Sequence, residues 1–170
     1  MDATQPLGVF QRRDDHIDVR FERHYPRPVE TVWSAITDPV RLADWMGVAH
    51  VEPFVGGRFE LMLDGPHPST GRVVVWDPPR VLEFSWSNTH APDSIVRYEL
   101  SPEGGGTRLV FTHRRMPYAN SALMLPGWHH LLGRLGRALE GAVVAGPLNY
   151  RQMQAIYVDH YKLSGLTLDP

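Results

Sequence analysis

One stretch limits the choice of fold more than any other: residues 125–144, LPGWHHLLGRLGRALEGAVV. Trp128, Leu131, Leu132, Leu135, Leu139 and Val143 recur at helical spacing and line one face of a single long helix. His130, Arg134, Arg137 and Glu140 fall largely on the other face, which the pattern predicts to be wet. Pro126 has no N–H and clashes with a preceding carbonyl, so it fits a first turn and predicts a start at Leu125 to Gly127. Gly133 and Gly136 lie inside, each costing about 1 kcal/mol relative to alanine. A close approach of another backbone, or of a ligand, offsets that cost. Two readings stay open: plain packing of a helix on a sheet, or a helix that closes a cavity.

The upstream chain supplies the sheet. His16 to Tyr25 alternates, with Ile17, Val19, Phe21 and Tyr25 on one face and Asp18, Arg20, Glu22 and His24 on the other, a half-buried strand. Pro28 opens a helix carrying Val29, Val32, Trp33 and Ile36, Pro39 ends it, and a second short helix from Val40 buries Leu42 and Trp45. From there the period is two. Phe59 and Leu61, then Leu82, Phe84 and Trp86, then Val96, Tyr98 and Leu100, then Leu109, Phe111 and His113 point inward on successive strands. The segment 64–70, DGPHPST, reads as a hairpin loop, and Gly104 to Gly106 as a turn. Short connections imply antiparallel neighbours, so the chain is predicted to be α+β: a curved antiparallel sheet wrapped around a long C-terminal helix, with two short helices after the first strand.

Residues 1–15 read as a flexible arm, 16–146 as the domain, and 147–170 as a helical extension. A chain of 170 residues can bury a substantial core. With no cysteine and a net charge of −2, disulfides and thiolate chemistry are excluded and nucleic-acid binding is unsupported. No apolar run reaches the roughly 20 residues of a membrane helix, and the N-terminus lacks a signal-peptide layout, so the expectation is a cytoplasmic protein without membrane contact. His129 and His130 are adjacent on a helix, about 100° apart, and no metal-ligand spacing occurs, so neither a metal nor a cofactor is expected.

Five pieces, in order, resemble one family: RHYPRPVETVWSAITDPVRLADWMG, FVGGRFELML, GRVVVWDPPRVLEFSWS, GGGTRLVFTH and GWHHLLGRL. The sequence is similar to the START-like (SRPBCC, Bet v 1-like) superfamily, and within it to bacterial proteins related to the C-terminal domain of the activator of the Hsp90 ATPase. The resemblance implies a helix-grip fold around a hydrophobic cavity. It covers about residues 16–143. Pro126 departs from the family's uninterrupted helix, and 147–170 lies outside the pattern.

Superfamily members are lipid and hormone carriers, polyketide cyclases and aromatases, and chaperone activators, so fold alone does not assign function. Trp45, Phe59, Leu61, Trp76, Phe84, Trp86, Tyr98, Phe111, His113, Trp128 and Leu132 are the candidates to line a site for a small hydrophobic molecule, aromatic or acyl. Each can equally be ordinary core, and the facing of Trp76 is open because the next turn can shift its register. His113 shares the parity of Phe111, so it can orient a ligand, act as a weak catalytic candidate, or simply bond a backbone carbonyl. A cyclase-like or aromatase-like enzyme and an Hsp90-activator-like interaction module are the alternatives to a binding protein. In the extension, Tyr150, Met153, Tyr157 and Tyr161 form a helical stripe that must cover its own domain or a second copy in a homodimer.

Overall fold

Alternation along the strands becomes a single registered sheet in the computed structural model, which describes residues 4–63, 67–149 and 151–163. The strands are β1 (Val9–Arg13), β2 (His16–Tyr25), β3 (Val48–Val51), β4 (Arg58–Met62), β5 (Ser69–Asp77), β6 (Val81–Trp86), β7 (Ser94–Glu103) and β8 (Gly106–Pro117). All pair antiparallel, in the order β1-β2-β8-β7-β6-β5-β4-β3. Between β2 and β3 lie α1 (Val29–Thr37) and α2 (Pro39–Trp45); α3 (Ser121–Ala138) follows β8 through a 3-10 turn, and α4 (Arg151–Tyr161) comes last. This is the predicted α+β helix-grip architecture.

Register turns the inward residues into rows that cross the sheet. One row runs Phe21–Phe111–Tyr98–Leu82–Trp76, and the next runs Val19–His113–Val96–Phe84–Val73. A bulge between Val73 and Val75 resets the parity of β5 and turns Trp76 to the inner face, settling the facing that the sequence leaves open. On the outer face, Arg97 reaches Glu83 at 2.8 Å and Glu99 at 2.6 Å, and Arg108 reaches Glu22 at 2.6 Å. Asp38 caps α2 through Val40 N–H at 2.9 Å, with Pro39 in the first turn, where its missing N–H costs nothing.

Several expectations are corrected. Residues 9–13 are not a loose arm but an edge strand, β1, and β3 is a second unexpected edge strand; both are largely exposed, so neither carries a strong alternation. Helix α3 starts at Ser121, before Pro126, and ends at Ala138, so Val143 is off the helix and exposed. Pro126 cannot donate to the carbonyl of Ala122, four residues back. Gln154 Nε2 of α4 donates to that carbonyl instead, at 3.0 Å, and lets the helix run through the proline.

The supposed wet face of α3 is not wet at Arg134, which is 5% exposed. The chain after α3 folds back over it, and the guanidinium donates to Gly146 O at 3.0 Å and Pro147 O at 2.8 Å. Met153 and Tyr157 are buried within their own chain. Tyr157 accepts the Gly8 N–H at 2.7 Å and lies 2.9 Å from His129 Nδ1, while Tyr161 donates to Gly8 O at 2.7 Å. The described part of the stripe therefore packs on its own domain. Tyr150 and the 64–66 part of the expected hairpin loop lie outside the described residues.

Candidate functional site

The inner rows and α3 bring most of the predicted residues into one chain of rings. Phe59 stacks on Phe84 at 3.9 Å between centroids, and Phe84 leans on Trp86 and Tyr98. Tyr98 meets Phe111 at 5.1 Å, Phe111 meets Trp128 at 4.3 Å, and Trp128 meets Trp86 at 5.5 Å. Leu61 and Leu132 are buried in the same core. Two candidates stand apart from this ring chain. Trp76 is half-buried and lies edge-on to Trp33 of α1, and Trp45 donates its indole N–H to Ala35 O at 2.9 Å inside the α1–α2 pair.

His113 is fully buried, beneath Trp128. An indole nitrogen can only donate, so the bond from Trp128 Nε1 to His113 Nδ1 at 2.9 Å requires a lone pair on Nδ1. The proton therefore sits on Nε2 and is donated to Ser94 Oγ at 2.7 Å. The Ser94 proton is left for the carbonyl of Trp86 or of Ala91, each at 2.9 Å. Burial pushes the imidazole down to about 3, because the site disfavours its charged form. The ring stays neutral near pH 7 with both nitrogens engaged. It ties β7, β8 and α3 together rather than presenting an acid or base to a substrate.

One buried position on α3 stands open. Gly127 is buried, yet a Cβ built on it meets nothing within 4 Å. Leu123 and Leu131, one turn before and after, are buried, so apolar groups flank this space. Gly136 of the same helix behaves differently: its Cβ position meets the Tyr25 ring at 3.4 Å, and Tyr25 OH donates to Leu132 O at 2.9 Å. Burial also pushes the Tyr98 phenol up, so it stays protonated.

Sequence reading misses four contributors. Arg23 shares the parity of Phe21 and Tyr25, a usable signal; it is buried facing α3, with NH2 3.5 Å from His129 Nδ1. Gly127 follows a proline inside a helix, which could have marked it. Ser94 and Ser121 carry no local signal, since only register and packing place them. A separate shallow hollow of about 280 Å³, lined by Asp77, Arg80, Glu99 and Arg108 among others, lies on the outer face and contains none of the predicted residues. Among the described residues no group of three His, Asp or Glu could hold a metal, and no helix is long and apolar enough to cross a membrane.

Comparison with known proteins places this geometry. The family described as activator of Hsp90 ATPase homolog 1-like protein matches residues 26–140. CalU16 from Micromonospora echinospora is 32% identical, with a TM-score of 0.67 over 78% of this chain and 84% of its own. DynU16, described as a protein in the dynemicin biosynthetic locus, is 28% identical with a TM-score of 0.71; the match covers 79% of this chain and 51% of DynU16. MLL2253 from Mesorhizobium loti is 25% identical, with a TM-score of 0.65 over 73% of this chain and 97% of its own. No curated protein matches the sequence.

Proposed function

The chain belongs to the activator of Hsp90 ATPase homolog 1-like family, and from that premise we propose that it binds a small, flat, mainly apolar molecule between the sheet and α3. The observation that carries this reading is Gly127. A buried glycine inside a helix costs about 1 kcal/mol relative to alanine, and here a Cβ would meet no neighbour within 4 Å. The Phe111, Trp128 and Trp86 rings, packed on one another under α3, suit an aromatic guest. The likeness to DynU16, a protein of a biosynthetic locus, favours a metabolite over a protein partner. Carriage fits better than conversion. A cyclase-like reaction needs an acid–base group facing the guest, and His113 is neutral and bonded at both nitrogens.

Fluorene, a rigid apolar tricycle, is a suitable probe. Tryptophan quenching is expected to saturate at one fluorene per chain. Gly127→Leu fills the space, so it is expected to weaken binding at least tenfold without lowering thermal stability. Absence of saturable binding to the wild-type protein, or equal binding to Gly127→Leu, overturns the proposal.

A further inference from the structure

Three tryptophans are sealed in the interior, and their N–H groups are not treated alike. Trp45 donates to Ala35 O and Trp128 to His113 Nδ1, both at 2.9 Å. Trp86, only 2% exposed, has an indole N–H with no hydrogen-bond partner among the described residues. Of the fully buried residues, the hydroxyl of Ser121, in the first turn of α3, shares this condition; the half-buried Arg114 also holds an unbonded Nε. Buried polar groups in folded proteins are nearly always paired, so two unpaired ones call for an explanation.

The same loop joins them. Trp86 ends β6 and leads into residues 87–93; Asn120, immediately before Ser121, donates to His90 O of that loop at 2.8 Å. Ser94 closes the loop by bonding Trp86 O or Ala91 O. The residues that carry both unpaired groups thus flank the junction where the 87–93 loop meets the start of α3. The Asn120 side chain does not cap that helix.

We infer that the ligand carries a hydrogen-bond acceptor, a neutral carbonyl by class, and that it lies with this oxygen at the Trp86–Ser121 end. This rests on the binding reading above. A carbonyl oxygen has two lone pairs; one takes the Trp86 N–H and the other the Ser121 O–H. The acceptor is neutral because an ionised group sealed among neutral partners pays a large desolvation cost. His113, the nearest basic side chain by ring contact, already has its lone pair on the Trp128 N–H. The guest is therefore an aromatic ketone or quinone-like molecule rather than a plain hydrocarbon or a carboxylate.

Fluorene and 9-fluorenone share one flat frame and differ by a carbonyl. The wild-type protein is expected to bind the ketone about tenfold tighter than the hydrocarbon, although the ketone is the less apolar of the two. Trp86→Phe, checked for native circular dichroism, is expected to lose most of the ketone preference, read as the ratio of fluorenone to fluorene affinity within the variant itself. Ser121→Ala removes one donor and is expected to lower that preference a few-fold. Equal binding of the two probes to the wild type, or an undiminished preference in both variants, overturns the inference and leaves the binding proposal standing. If fluorene and fluorenone both fail to bind, the binding proposal itself falls, and the inference with it.

Discussion

The two halves of α3 are built from similar residues and end in opposite conditions. In the C-terminal half, the Tyr25 ring packs where a Gly136 side chain would begin, its hydroxyl bonds Leu132 O, and Arg134 is held by two carbonyls of the returning chain. In the N-terminal half, Gly127 faces open space, the Ser121 hydroxyl is buried without a partner among the described residues, and Pro126 interrupts the backbone ladder. A helical glycine carries the same intrinsic penalty at either position. Only at Gly136 does a neighbouring group use the room. The difference teaches that neighbours close in on the helix at Gly136 but leave open space at Gly127.

Removal of α4 offers the largest way to break this contrast, because α4 supplies the Gln154 bond that mends the proline break. A chain stopped after Gly146 loses the burial of Met153 and Tyr157, and its stability in urea is expected to fall by about 5 kcal/mol. A fall below about 1 kcal/mol would show the N-terminal half to be self-sufficient.

Acid probes the seal beneath Trp128 next. The folded His113 titrates at about 3 against about 6.5 when unfolded, so between those values the unfolded chain binds the extra proton. Stability from the neutral ring is complete above pH 6.5 and is lost as pH falls toward 3, on the order of 5 kcal/mol in all. Urea denaturation at pH 7, 5.5 and 4 should show this slope in the wild type and a shallower one in His113→Phe. Equal slopes would mean that water already reaches the ring.

Smaller substitutions sharpen the comparison directly. Gly136→Leu forces a side chain against the Tyr25 ring and is expected to cost about 2 kcal/mol, as overpacking does. Gly127→Ala meets no neighbour, keeps a helical backbone, and is expected to gain about 1 kcal/mol. If the two glycines respond alike in thermal denaturation, the contrast between the halves is lost.

Much of this was legible from residue spacing. Two-residue alternation placed Phe84, Tyr98, Phe111 and His113 on the inner face, because a strand with one buried side must alternate. The edge strands β1 and β3 stayed hidden, since largely exposed strands leave a weak burial pattern. Arg134 looked solvated because the segment that buries it lies beyond the helix itself. Pro126 looked like a helix start because a side chain from α4 does what the missing N–H cannot. The bonds of His113 depend on its register with Ser94 across β7 and β8, and the space at Gly127 depends on everything packed around it. Neither is a local property.

The central requirement is that the space beside Gly127 exists and is apolar. Crystals of the wild-type protein pressurised with xenon test it most directly, since dry apolar cavities take up xenon. The expected result is a xenon atom beside Gly127, flanked by Leu123 and Leu131, that disappears in Gly127→Leu. Xenon absent from that position in the wild type, with a side chain or a hydrogen-bonded water filling it, would contradict the binding site proposed for this helix.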